Sequence, residues 1–188
     1  MKIEDHFDKN FPPAVRKALL FAEDAHEGQM RKDKVTPYWM HPVRVVRILI
    51  EAPWHFTEKQ LIAAACHDVI EDAWKDLKPT ARFKRIAEAF GEDVAGMVFL
   101  LSKPEEEYMR SKVYFASMRW VAPVIIAIKL ADYLDNLRDL PTEGKFRNHF
   151  QSKVREQALP LIDIIKMHGN CWHPYAAWIE TMMKRELD

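Results

Sequence analysis

Apolar residues recur at three- and four-residue intervals along nearly the whole chain, and strand-like alternation is almost absent. That pattern admits helices and little else. Only five glycines interrupt the 188 residues, so few places can turn a hairpin. The expected fold is all-α: one compact helical bundle over residues 1–188, of about eight to ten helices. A chain of this length can remove roughly 70% of its unfolded surface from water around a single core.

Helix boundaries follow from local chemistry. A first helix is expected over Ala14–Glu27, ending near Gly28, and a second from Pro42 to about Glu51, proline suiting the first helical turn. Thr57-Glu58-Lys59-Gln60 has the form of a capping box opening a third helix toward Ile70. Further helices are expected over Arg82–Phe90, Asp93–Ser102, Glu106–Arg119 and Pro123–Leu140, then Gly144–Met167 and His173–Glu186. Gly91 and Pro104 supply stops.

Composition excludes several classes. The longest apolar run, Val121 to Ile128, is eight residues and includes a proline, against the ~20 that a membrane span needs. The N-terminus "MKIEDHFDKNFPP" lacks the basic-then-apolar order of a secretory signal, so the expected address is cytoplasmic. Basic and acidic residues balance at 28 each, which argues against a broad nucleic-acid-binding face. Two cysteines fit a reducing compartment.

Against this ordinary background, "ACHDVIEDAW" at 65–74 places His67, Asp68, Glu71 and Asp72 within six positions, directly after an apolar run. On a continuous helix His67 and Glu71 would form one line and Asp68 and Asp72 the next, all on one face. Ala63 and Ala64, in the preceding turn, would let another helix approach closely. Acids near a helix C-terminus oppose the macrodipole, so helix stability does not explain them. Suitable companions lie elsewhere. His41 stands in "TPYWMHPVRVV" beside the helix-opening proline, and Asp132 sits mid-helix in "VIIAIKLADYLDNLRDL", with Asn136 and Asp139 continuing its stripe. Two histidines, two aspartates and a nearby acid pair are what a divalent ion and an activated water require. Spacing alone leaves manganese, iron, cobalt and zinc open.

The order His41, His67-Asp68, Asp132 resembles the H…HD…D signature of the HD phosphohydrolase superfamily. "AHEGQMRKDKVTPYWMHPVRV", "AAACHDVIEDAW", "FGEDVAGMVFLLSK" and "IKLADYLDNLRDL" further resemble the successive motifs of the RelA/SpoT-type hydrolase domain, in particular the small alarmone hydrolases that include the metazoan SpoT homologue. The likeness runs from about Ala22 to Leu140 and is loose in the C-terminal helices, 144–186. It implies an HD-type bundle and hydrolysis of the 3′-pyrophosphate of guanosine tetra- or pentaphosphate. It also implies manganese, or another divalent transition metal, on His41, His67, Asp68 and Asp132. Glu71 and Asp72 would orient or deprotonate the attacking water, while Arg31, Lys32 and Asn136 would hold the nucleotide.

Departures from the family pattern are an extra residue between Arg31 and Pro37, Asp33 in place of a small polar residue, and Asp135 before Asn136. The last adds negative charge near a polyphosphate, so an HD phosphohydrolase for another nucleotide stays open: an adenosine alarmone, a nucleoside monophosphate or the NADPH 2′-phosphate. A non-catalytic binding module fits the intact acid set less well. Cys66 is expected in the core, His168 and His173 in an interhelical loop, Arg110, Lys112 and Arg119 on a solvated face, and His26 with Gln29 as helix-end caps or supports of the metal site.

Overall fold

Prolines start several of the helices, a capping box starts one, and a glycine at positive φ ends another. In a computed structural model, which describes residues 2–74, 76–103, 113–141 and 144–188, the helices are α1 (Pro13–Ala25), α2 (Met40–Glu51), α3 (Glu58–Ala65), α4 (Val69–Asp72), α5 (Pro79–Phe90), α6 (Glu92–Leu101), α7 (Tyr114–Ser117), α8 (Pro123–Arg138), α9 (Lys145–Lys153), α10 (Leu159–Met167) and α11 (His173–Leu187). Nine of these have eight residues or more, and no strand occurs among the described residues. The all-α expectation holds. None of the described helices is long and apolar enough to cross a membrane.

Pro13, Pro79 and Pro123 each stand in a first turn, where a missing N–H costs nothing. The capping box is complete: the Gln60 amide N–H donates to Thr57 Oγ1, and the Thr57 N–H donates to Gln60 Oε1. Gly91 closes α5 at φ 92°, a conformation that costs glycine little.

Two expected helices are interrupted. The helix expected from Thr57 toward Ile70 stops at Ala65 and resumes as α4, so His67 and Asp68 occupy a turn and do not share a helical face with Glu71 and Asp72. The physical reason is local: His67 Nδ1 donates to the Ala64 carbonyl at 2.8 Å, giving that carbonyl a side-chain partner. The helix expected over Gly144–Met167 contains a π-turn, Val154–Ala158, ending two residues before Pro160. Proline offers no N–H to the carbonyl four residues back and crowds it, and one wider turn accommodates both defects. Of the helix expected over Glu106–Arg119, α7 and a 3-10 turn, Met118–Trp120, are seen; residues 106–112, with Arg110, Lys112 and the Pro104 stop, lie outside the described residues.

The chain divides into two compact units, Met1–Arg47 with Phe56–Glu106, and Ile48–His55 with Glu107–Asp188. In the first, α3 packs on α1 and α6, α5 on α6, and α4 on α5 and α6. Ala18 and Ala22 of α1 and Ala63 and Ala64 of α3 are fully buried, the small side chains that close helix approach requires. Cys66 joins this core, and burial pushes its thiol pKa up, away from reactivity. In the second unit α8 packs on α10 and α11 and is buried almost throughout. The buried Tyr175 hydroxyl donates to the Ala127 carbonyl at 2.7 Å.

Candidate metal centre

The first turn of α2 carries His41, and the turn between α3 and α4 carries His67 and Asp68. Both imidazoles are 1% exposed. Their Nε2 atoms stand 3.1 Å apart, and Asp68 Oδ2 lies 3.1 Å from His67 Nε2 and 3.4 Å from His41 Nε2. These three ligand atoms form a group able to hold a metal ion. Donors roughly 2.1 Å from a shared ion are separated by about 3.0 Å at right angles and about 3.4 Å at tetrahedral angles, so the observed edges fit. Tautomer chemistry fits too. A carbonyl only accepts, so His67 Nδ1 carries the proton and Nε2 presents its lone pair toward the cluster. Burial works to raise the Asp68 carboxyl pKa, but the His67 and His41 imidazoles, when protonated, outweigh it and hold it well below the usual range, so Asp68 is anionic, the form a metal ligand needs.

A layer of hydrogen bonds and ring contacts surrounds the group. The Tyr38 hydroxyl donates to Asp68 Oδ2 at 2.7 Å and lies 3.4 Å from Asp72 Oδ2. Burial, then the charges of Asp68 and Asp72, push the phenol pKa up, so it stays a donor. His26 stacks on Tyr38, ring centroids 4.3 Å apart, and pairs through Nδ1 with Gln29 Oε1 at 3.0 Å. Burial lowers the His26 pKa against the opposing pull of Gln29 and Asp68. Gln29 Nε2 in turn donates to the Asp72 carbonyl at 3.2 Å. His26 and Gln29 thus reach past helix capping to the backbone of the acid pair. Tyr38 is the residue that sequence reasoning missed; its one signal was its place three residues before His41.

The acid pair sits on α4. Glu71 accepts from the Lys103 N–H at 3.1 Å and from its Nζ at 3.3 Å. Arg82, expected to begin a helix, lies within α5 and is buried; it donates to the carbonyls of Ile70, Trp74 and Leu77 at 2.7, 3.1 and 2.9 Å. One guanidinium therefore ties down the chain on both sides of the acids. Arg31 and Lys32 lie in a loop closed by the Arg31 N–H donating to the Thr36 carbonyl at 2.8 Å. The Arg31 guanidinium stands 5.5 Å from the Tyr38 ring centre. Asp33 shapes the loop, accepting from the Val35 and Thr36 N–H groups at 2.9 Å each, and the Thr36 hydroxyl and these amides lower its pKa to about 2.

The second unit holds the remaining expected site residues. Asp132 in α8 is 6% exposed, with Lys129 Nζ 2.9 Å from its Oδ2, and the Asn136 amide donates to its Oδ1 and, at 3.0 Å, to its carbonyl. Asp135 is buried in the same helix. His168 and His173 flank a short 3-10 turn, Asn170–Trp172, and are exposed.

The stretch of chain that holds these residues is similar to known proteins. The family model described as "HD domain" matches residues 18–159. The bifunctional (p)ppGpp synthase/hydrolase SpoT of Escherichia coli K12 is 34% identical over 155 residues, covering 78% of this chain and 20% of that protein. This chain therefore spans about a fifth of the length of such bacterial relatives. The guanosine-3′,5′-bis(diphosphate) 3′-pyrophosphohydrolase MESH1 of Drosophila melanogaster is 37% identical over 125 residues, 65% of this chain and 66% of that one. A solved structure of a metazoan ortholog of SpoT, described as hydrolysing ppGpp, superposes with a TM-score of 0.73 at 26% identity, over 93% of this chain and 96% of that chain. By the match over most of its length, this chain belongs to the HD-domain family.

Proposed function

We propose that this protein is a metal-dependent hydrolase that removes the 3′-pyrophosphate of guanosine tetra- or pentaphosphate, yielding GDP or GTP and pyrophosphate. The observation that carries the reading is the convergence of His41 Nε2, His67 Nε2 and Asp68 Oδ2 within the first unit, at separations that suit a shared ion. The names of the similar proteins support the choice of substrate. Motif order supports Asp132 as a fourth ligand and manganese as the ion; carboxylate and imidazole donors are compatible with manganese. Such an ion, when bound, polarises the phosphoryl oxygens and acidifies water.

The chain's own residues do the rest. Arg31 and Lys32 supply fixed positive charge for the phosphates, and Asn136 supplies a hydrogen bond to the nucleotide. Glu71 or Asp72 takes a proton from the water that attacks the phosphorus next to the ribose. The bond from that phosphorus to O3′ breaks, and O3′ leaves with a proton as the free 3′-hydroxyl. The Lys103 N–H and Nζ, at 3.1 and 3.3 Å, hold the Glu71 carboxylate in place. The reading sets this work in the cytoplasm, with a small-molecule nucleotide as the partner.

The test is a parallel incubation of the manganese-loaded protein with guanosine tetraphosphate, guanosine monophosphate and NADPH, the phosphate products being resolved by ion chromatography. Pyrophosphate from the tetraphosphate, abolished by chelator, is expected. Orthophosphate from the other two with an untouched tetraphosphate overturns the reading.

A further inference from the structure

Tyr38 meets three groups to which the proposed reaction gives separate tasks. Its hydroxyl donates to Asp68 Oδ2 at 2.7 Å, and that same oxygen faces both imidazoles. Its hydroxyl also lies 3.4 Å from Asp72, and its ring lies 5.5 Å from the Arg31 guanidinium. The ring has little freedom. His26 stacks on it at 4.3 Å with planes 24° apart, and His41 meets it edge-on at 6.1 Å. His26 is itself bonded to Gln29, which bonds the Asp72 backbone. A carboxylate oxygen has two lone pairs, and a phenol fixed on one directs the other. Groups that orient a ligand in this way commonly change metal affinity by 10- to 100-fold.

We infer that Tyr38 is a positioning residue with two separable parts: its hydroxyl aims Asp68 Oδ2 at the metal, and its ring seats Arg31 for the nucleotide. The inference rests on the metal-hydrolase reading above. Tyr38→Phe removes only the hydroxyl; Tyr38→Leu removes the ring as well. A cation beside an aromatic face is held by the ring quadrupole, and Phe retains that.

The experiment titrates Mn²⁺ alone into the full chain by calorimetry, then measures turnover of guanosine tetraphosphate at rising Mn²⁺. Tyr38→Phe should weaken Mn²⁺ binding by at least ~10-fold, keep KM within about twofold, and regain its lost turnover when Mn²⁺ is raised. Tyr38→Leu should also raise KM. Wild-type Mn²⁺ affinity in Tyr38→Phe overturns the inference and leaves the hydrolase reading standing. A wild-type chain that binds no divalent ion overturns both. Loss of cooperative melting in Tyr38→Phe also overturns it, since the hydroxyl would then serve folding and not the site.

Discussion

Nε2 of His41 faces Nε2 of His67 across 3.1 Å in the protein interior, two basic nitrogens brought from the first turn of α2 and from the turn after α3 to one point beside a carboxylate. Two imidazoles cannot both be protonated at that distance without strong repulsion. Neutral rings beside an anionic Asp68 are the protonation state in which a divalent ion is bound.

Metal content should therefore follow the ligands. His67→Ala and Asp68→Ala should lose bound metal and activity together, and Asp132→Ala should do the same if it is the fourth ligand. Elemental analysis of purified variants checks this, and full metal in all three would refute the assignment.

The acid pair should matter to turnover more than to binding. Glu71→Gln combined with Asp72→Asn should retain metal and nucleotide while lowering turnover by at least ~100-fold, the scale of a general acid-base contribution. Near-normal turnover would make Glu71 and Asp72 merely partners of Lys103 and Tyr38.

Arg82 should be needed for both fold and rate. Arg82→Ala leaves the carbonyls of Ile70, Trp74 and Leu77 without that donor, at a cost of about 1–3 kcal/mol for a buried unsatisfied group. A lower denaturation midpoint is expected, with turnover falling further because α4 carries the acids. Arg82→Lys should not restore it, as one ammonium cannot span three carbonyls in a fixed plane.

Asp33 should act on nucleotide affinity through the loop that carries Arg31 and Lys32. Its carboxyl titrates at about 2 against an ordinary 3.8, so its ionised form favours the folded loop. That contribution is complete above the ordinary value and is lost as pH falls toward 2. Asp33→Ala should raise KM several-fold by the same factor across the neutral pH range, and Asp33→Ser should be milder, since serine makes a weaker version of the same turn. Steady-state kinetics at several pH values decide this.

The helices were legible where local chemistry decides them: the Thr57–Gln60 box, the proline at 123 and the stop at Gly91, whereas Pro13 and Pro79 open their helices before the expected starts at Ala14 and Arg82. The break after Ala65 was not, because it depends on a bond from His67 back to a carbonyl that a continuous helix would also have used. The π-turn was not legible either: the helix is expected unbroken over Gly144–Met167, and a proline such as Pro160 announces a kink without saying which. At the site, His67 and Asp68 were conspicuous as charges after an apolar run, whereas Tyr38 was hidden, since a tyrosine near a helix start has no distinguishing pattern until its hydroxyl is seen on Asp68. Arg82 was hidden in the same way: its three partners are backbone carbonyls, which carry no sequence signal.

The bond that is cut tests the central claim most directly. Guanosine tetraphosphate is hydrolysed by the manganese-loaded protein in water enriched in oxygen-18, and the products are weighed by mass spectrometry. Attack on the phosphorus next to the ribose puts one heavy oxygen into pyrophosphate and none into GDP, which is the predicted result. Labelled orthophosphate with a nucleotide that keeps a 3′-monophosphate, or no reaction at all, would contradict it.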